Sequence, residues 1–258
     1  MRLRHAGATD VGRKRSHNED RFLIQPEDAL FVVCDGMGGH ASGEVAAQRA
    51  VDEISKFFAE SRQDREITWP FKPDRKVSDP EGELAVSIKM ANWQIHQMAA
   101  EDLRYKGMGT TCVGIHVEGN RVAIAHVGDS RCYRIRDGRI EPMTVDHSLI
   151  EEYRRMAQVT EEEVKNFPHK NIILRALGMK ERVEVETRLE ELRVGDLYLL
   201  CCDGLSGEVE DQEMLAVVRE LGHDLDRCCK ELIARANQHG GRDNITVVLV
   251  KAEDERAS

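Results

Sequence analysis

Carboxylates stand at the ends of apolar runs throughout this sequence. In LFVVCDGMGGHASGE (30–44), a short apolar run ends in Asp35 and then in glycines. VAIAHVGDSR (122–131) ends the same way in Asp129, and DLYLLCCDGLSG (196–207) in Asp203. Two cases are reversed: GRDNITVVLV (241–250) places Asp243 before an apolar run, and HNEDRFLI (17–24) does so with Glu19 and Asp20. An unpartnered carboxylate at the mouth of a buried strand is costly, so Asp35 needs compensation from a metal, a bound phosphate or solvent at a turn. One Asp-Gly pair after a strand is ordinarily a hairpin turn. The recurrence favours a hard cation, Mn²⁺ or Mg²⁺, which takes carboxylates, carbonyls and water. Gly36 beside Asp35 fits a backbone that approaches an ion closely or offers it a carbonyl.

The elements that must hold these carboxylates are short β-type runs and amphipathic helices. In an antiparallel sheet, the end of one strand lies beside the start of its neighbour. Carboxylates after some strands and before others can therefore meet, and the expectation is a single sheet edge. Val45, Ala46, Ala50, Val51, Ile54, Phe57 and Phe58 repeat with helical period from Ser42, a fitting N-cap. Leu84, Ile88, Ala91, Ile95 and Met98 form a second stripe, and Leu225, Cys228, Cys229, Leu232, Ile233 and Ala236 a third. The segment between the first two, QDREITWPFKPDRKVSDPEGE (63–83), is rich in Pro and charge and reads as an exposed loop. Residues 147–178 are polar and helix-like and read as a surface flap. The pattern as a whole is α+β and antiparallel, one domain over 1–258.

Bulk properties narrow the class. With 258 residues, 41% apolar, the chain can bury a real core. A net charge of −10 and a pI of about 5.5 argue against nucleic acid or an anionic membrane as partner. No run reaches the ~18 apolar residues of a membrane helix, and the first residues lack the apolar stretch of a signal peptide. The seven cysteines show no CxxC or zinc-type spacing, which suits a reducing cytoplasm.

Two other chemistries compete. Gly36, Gly38 and Ala41 fit the G-x-G-x-x-G/A dinucleotide fingerprint. Asp35 would repel a pyrophosphate there, and regular βαβ alternation is missing. Cys229 to Arg235 has the C-x5-R spacing of a cysteine phosphatase, but it has no glycine and lies inside a helical stripe, so Cys229 reads as core.

RSHNED, DGMGGH, GTT, GDSR, DHS, RALG, DGL and DNITVV occur in that order from about Thr9 to Val250. The set resembles the motif blocks of the metal-dependent Ser/Thr protein phosphatases (the PPM, or type 2C, family) in their compact bacterial form. The resemblance implies an αββα sandwich of two antiparallel sheets flanked by helix pairs, with a flap. It implies two or three Mn²⁺ or Mg²⁺ ions. Asp35 would bridge two of them and Gly36 would give its carbonyl to one. Asp203 and Asp243 would complete the coordination of the first metal; Asp20, with Glu19, would serve the second metal, often through waters. Asp129 would hold a third, weaker ion, and Asn244 would support the site by hydrogen bonding. Arg15 matches the family's phosphate-binding arginine, although the residues alone favour a solvated member of the run RKR. The implied reaction is attack on phosphoserine or phosphothreonine by a metal-activated water, in a cytoplasmic monomer opposing a Ser/Thr kinase. A pseudo-phosphatase that binds phosphoproteins without turnover is the rival, and the full set of carboxylates argues against it. One departure stands out: the histidine that follows Asp-Gly in many eukaryotic members is Met37 here. His40 or a metal-bound water then remains as proton donor to the leaving oxygen.

Overall fold

The computed structural model describes residues 1–38, 42–64, 80–156 and 172–255. β1 (Arg2–Asp10), β2 (Arg21–Gln25), β3 (Leu30–Cys34) and the two-residue β4 (Gly36–Met37) come first, followed by helices α1 (Ser42–Gln63) and α2 (Pro80–Glu101). Then come β5 (Gly109–Thr110), β6 (Cys112–Glu118), β7 (Arg121–Val127), β8 (Arg131–Arg136), β9 (Arg139–Pro142) and helix α3 (Leu149–Met156). The chain closes with β10 (Glu186–Glu191), β11 (Leu197–Cys201), α4 (Asp203–Ser206), α5 (Asp211–Leu221), α6 (Leu225–His239) and β12 (Ile245–Glu253).

Two five-stranded sheets result, ordered β1-β12-β11-β8-β9 and β10-β7-β6-β3-β2, while β4 pairs with β5. Every named strand pairing is antiparallel. The apolar runs are continuous because both faces of each sheet are covered. Alternate side chains point to opposite faces. Phe31 and Val33 meet Tyr198, Leu200, Val248 and Val250 between the sheets. Leu30 and Val32 turn the other way onto Ala50, Ile54, Leu84 and Ile88 of α1 and α2. Leu199, Val247 and Leu249 pack outward on Leu215, Leu225 and Leu232 of α5 and α6. The layers are thus helix, sheet, sheet, helix, as the resemblance implied. Burial of each such aliphatic side chain contributes about 1.5–3 kcal/mol, which commits these runs to their strands.

Two local readings change. The stretch 63–83 is not all exposed loop. α2 begins at Pro80, whose fixed φ suits a first helical turn, and Pro80, Glu81 and Gly82 are buried. Residues 65–79 of that stretch lie outside the described residues. The ends of the 147–178 segment are tied together: Leu149 N–H donates to the Ile172 carbonyl (2.9 Å), and Leu174 N–H to that of His147 (2.8 Å). Its middle, 157–171, lies outside the described residues.

Candidate active site

Each strand-end carboxylate lies at the same end of the sandwich. Asp35 follows β3, Asp129 follows β7 and Asp20 precedes β2, all in one sheet; Asp203 follows β11 and Asp243 lies just before β12 in the other. The expected single sheet edge is therefore corrected. Two sheets contribute, because antiparallel strands of both layers start or stop at this end, and the turn from β7 to β8 crosses between layers.

Asp35 is at the centre. Its carboxyl is pushed well above the ordinary carboxylate range, by burial first and then by Asp20, Asp203, Asp129 and Asp243. Its backbone is pinned: Asp35 N–H donates to Thr111 Oγ1 (3.0 Å), and its carbonyl accepts from Thr111 N–H (2.8 Å) and Thr110 Oγ1 (2.9 Å). Thr111 Oγ1 also bonds Ser130 Oγ at 2.7 Å, which joins the GTT and GDSR stretches behind Asp35. The glycines are required by close approach. A Cβ on Gly36 would lie 2.2 Å from the Gly43 carbonyl oxygen, and one on Gly204 would lie 1.9 Å from that of Asn244.

The other carboxylates are partly unsatisfied. Asp20 Oδ1, Asp129 Oδ1 and Asp203 Oδ1 are buried without a hydrogen-bond partner. Burial and neighbouring carboxylates push Asp129 up to about 7. Burial, opposed chiefly by the hydrogen bond from Thr246, leaves Asp20 at about 6. Asp203 is raised by burial and by Asp243, and a hydrogen bond shared with Asp35 offsets part of this. Glu19 is raised chiefly by burial, while a Gly43 backbone N–H helps hold its charge. Buried carboxyl oxygens without donors, gathered with no imidazole among the described residues of the cluster, fit a hard divalent cation.

Asn244 is a hub. Its Oδ1 takes the Glu19 N–H (2.8 Å), and its Nδ2 donates to the carbonyls of Val11 (3.0 Å) and His17 (2.9 Å). It thereby locks the 11–19 loop against the start of β12. Arg15, carried on that loop, places Nη2 2.6 Å from Asp243 Oδ2. Glu19 and Asp35 also act on it electrostatically. Arg15 is exposed, as the residues alone suggested (51% of its side chain), and its guanidinium is nonetheless paired with Asp243 at the rim of the acid cluster. Met37 lies in β4, and His40, the other candidate donor, lies outside the described residues.

Several residues of the site had no role assigned from sequence. Cys202 Sγ lies within 4.8 Å of one oxygen of Asp20 and one of Asp35. Burial and Asp20, Asp35 and Asp203 raise its thiol well above the usual range, so it is protonated. Thr110, Thr111 and Ser130 were legible only as members of motifs, and Thr246 as one strand residue among several. Cys229 is core, as expected, in α6 with its thiol pushed up to about 12. The dinucleotide reading fails on geometry, since Gly36 opens an antiparallel pairing with Thr110 and not a parallel βαβ turn.

A second cluster adjoins the Asp129 turn. His126 and His147 stack at 4.6 Å, and His147 Nε2 lies 3.2 Å from Glu186 Oε2. His147 Nδ1 accepts the Gly128 N–H (3.1 Å), and Nε2 lies between Glu186 Oε2 and the Arg175 guanidinium (Nη1 at 3.3 Å). His126 Nε2 donates to the Val145 carbonyl (2.8 Å). These imidazoles are committed to hydrogen bonds that brace Gly128 and the flap's first residue, and burial pushes His147 down to about 4. Arg131 adds a two-pronged pair with Asp146 (2.9 and 2.7 Å).

Comparison with known proteins agrees with this architecture. The family model described as Protein phosphatase 2C matches residues 10–249. The chain belongs to the protein phosphatase 2C family. Serine/threonine phosphatase stp of Listeria welshimeri is 38% identical over 250 residues, covering 94% of this chain and 93% of that protein. The serine/threonine phosphatase PstP/Ppp of Mycobacterium tuberculosis superposes with a TM-score of 0.86 at 32% identity, covering 98% of this chain and 100% of that one. The catalytic domain of PstP in complex with two manganese ions superposes with a TM-score of 0.83 at 32% identity, over 98% and 99% of the two chains. The motif blocks quoted from the sequence all fall within or next to the matched span, and this protein phosphatase 2C chain has the fold that they implied.

Proposed function

We propose that this type 2C phosphatase hydrolyses phosphoserine and phosphothreonine in proteins with the acid cluster holding Mn²⁺ or Mg²⁺, the whole of 1–258 acting as one catalytic domain. The observation that carries the reading is the convergence of three unpartnered buried carboxyl oxygens, on Asp20, Asp129 and Asp203, around Asp35. Asp35, Asp203, Asp243 and the Gly36 carbonyl would hold one ion. Asp35 and Asp20, with Glu19, would hold a second, and Asp129 with Asp203 a third and weaker one. When bound, such ions acidify a water into a nucleophile near neutral pH and neutralise charge on the phosphoryl group.

The chain's own groups do the rest. Arg15 exchanges part of its contact with Asp243 for two phosphate oxygens, a charge-assisted, bidentate arrangement. Thr111 and Ser130 keep Asp35 in place, and Asn244 keeps the Arg15 loop on the site. The raised pKa values of Asp20 and Asp129 mark groups that a cation must hold ionised at neutral pH. Burial and the neighbouring carboxylates raise the Cys202 thiol, so Cys202 is not the nucleophile in this reading; the attacking group is water. His40, or a water, protonates the leaving oxygen, since Met37 cannot.

Among the described residues, no helix is long and apolar enough to cross a membrane. The reading extends to a cytoplasmic monomer whose substrates are a Ser/Thr kinase and that kinase's targets; the acidic chain and its reduced cysteines support the location. The test is hydrolysis of p-nitrophenyl phosphate and of a phosphothreonine peptide, with Mn²⁺ and with excess chelator. Turnover in both assays that requires the metal is expected. Full activity in chelator would overturn the metal reading, and hydrolysis of the small ester alone would overturn the protein substrate.

A further inference from the structure

Asp20 is held by a closed circuit of hydrogen bonds that spans the two sheets. Its N–H donates to Asn18 Oδ1 (3.0 Å), which fixes the orientation of that amide. Asn18 Nδ2 donates to Thr9 Oγ1 (2.8 Å). Thr9 and Thr246 are directly opposed across β1 and β12, and their hydroxyls meet at 2.7 Å. Thr246 Oγ1 donates to Asp20 Oδ2 at 2.7 Å and so returns to the starting residue.

The direction of this circuit is forced by proton counting. The amide nitrogen of Asn18 can only donate, so Thr9 accepts there and its own hydrogen points to Thr246. Thr246 spends its single hydrogen on Asp20. Every donor therefore runs toward the carboxylate, and bonds aligned head to tail reinforce one another. Thr246 is fully buried and Asp20 is only 1% exposed, so water does not compete for the last bond, Thr246 to Asp20, whereas Thr9 at the other end is exposed and its bond from Asn18 meets solvent. One carboxylate oxygen is thereby consumed, and the other, Oδ1, is left without a protein partner, on a carboxylate that has an oxygen within 4.8 Å of an Asp35 oxygen and of Cys202 Sγ. The Thr246 backbone N–H also donates to Cys202 Sγ (3.1 Å), and that thiol in turn donates to the Asn244 carbonyl (3.3 Å), so its hydrogen is not available to Asp20.

We infer that Thr246, backed by Thr9 and Asn18, is a positioning residue that fixes Asp20 with Oδ1 presented to the cation site and sets how tightly that site binds. The inference rests on the proposal that Asp20 serves a divalent ion. It extends that reading to residues that touch neither the ion nor the substrate.

The experiment is calorimetric titration of Mn²⁺ into wild type, Thr246→Val, Thr246→Ser, Thr9→Val and Asp20→Asn, each checked for thermal unfolding. Thr246→Val keeps the shape and removes the donor. It should weaken binding by roughly ten-fold or more, the usual cost of losing a partner to a metal-binding group. Thr246→Ser restores the hydroxyl and should stay within about three-fold of wild type on the same reasoning. Thr9→Val should show a smaller loss in the same direction, although Thr9 does not touch Asp20. Wild-type affinity in Thr246→Val alongside weakened binding in Asp20→Asn would overturn the positioning role while leaving Asp20 as a ligand. Wild-type affinity in Asp20→Asn would overturn both. If Thr246→Val does not fold, Thr9→Val decides: weaker Mn²⁺ binding supports the circuit, and unchanged binding overturns it.

Discussion

Asp20 and Asp196 are equally buried, each 1% exposed, and the protein treats them in opposite ways. Asp196 receives both prongs of Arg136, at 2.6 Å to each oxygen, and the Arg193 N–H at 2.7 Å. Among the described residues no cationic side chain pairs with the Asp20 carboxylate; one oxygen takes the Thr246 hydroxyl and the other has no partner. Asp129 and Asp203 likewise each keep one orphaned oxygen, although Arg131 acts on both from a distance. Burying a carboxylate costs several kcal/mol unless it is compensated. At Asp196 the compensation is written into the chain, so that residue serves stability. At Asp20, Asp129 and Asp203 no such fork is supplied and an oxygen of each stays unpaired, while Arg15 pairs only with Asp243 among the described residues; a cation from outside is the compensation proposed for that end of the sandwich.

The contrast can be broken most decisively at Asp35 and Asp243. Alanine at either should lower p-nitrophenyl phosphate turnover by roughly a thousand-fold, the scale of several kcal/mol of metal-supplied stabilisation. Circular dichroism should show an intact fold, and unfolding in chelator should be no easier, because a repelling charge has gone. A variant that unfolds yet retains activity per folded molecule would reverse the assignment. Asp196→Ala should behave in the opposite manner. It strands the Arg136 charge and should cost about 3–5 kcal/mol in denaturant unfolding, with turnover per folded molecule unchanged.

Acidity sharpens the comparison next. Asp20 and Asp129 titrate at about 6 and about 7 in the folded protein, against an ordinary 3.8. Between those limits the folded state holds protons that the unfolded state has released. Their contribution to stability is complete below about pH 4 and is lost as pH rises through 6–7. The two carboxylates together favour pH 5 over pH 8 by about 4 kcal/mol, and His147, held at about 4 in the folded protein, opposes them by about 2 kcal/mol, so in chelator the protein should be more stable at pH 5 by on the order of 2 kcal/mol. Saturating Mn²⁺ should abolish or invert that slope, since binding requires the ionised carboxylates. A melting temperature in chelator that rises from pH 5 to pH 8 would contradict the unsatisfied state of the cluster.

Arg15→Ala should lower kcat/KM by roughly ten-fold or more while leaving Mn²⁺ affinity largely intact, as expected for a lost bidentate phosphate contact. Unchanged kcat/KM would reduce Arg15 to a surface partner of Asp243. The smallest effect belongs to Asp129→Ala. Two tight Mn²⁺ sites should remain in calorimetry, and turnover should fall several-fold with loss of a weak activating phase in the metal titration, because a site with few protein ligands binds weakly. Wild-type turnover at all metal concentrations would make Asp129 a turn residue.

Much of this protein was decided by local sequence. Apolar runs such as LFVVC and ITVVLV can be strands only if both faces are covered, and the three helical stripes supply the covers; the layered fold follows from that need. Asp35, Asp203 and Asp243 were legible because each interrupts a buried run, where an unsatisfied carboxylate would not persist without purpose. The ordered motifs added the family. Tertiary structure alone decided what depended on residues distant in the chain. Thr246 lies 226 positions from Asp20, and nothing local marks it as the donor to that carboxylate. Arg15 reads as one solvated member of RKR, and its pairing with Asp243 exists only because Asn244 folds its loop onto the start of β12. Periodicity reports which way a side chain points from its own strand, but not which side chain another strand brings opposite to it. Hydrogen bonding is short-ranged and directional, so the support around the carboxylates was settled only when the two sheets closed face to face.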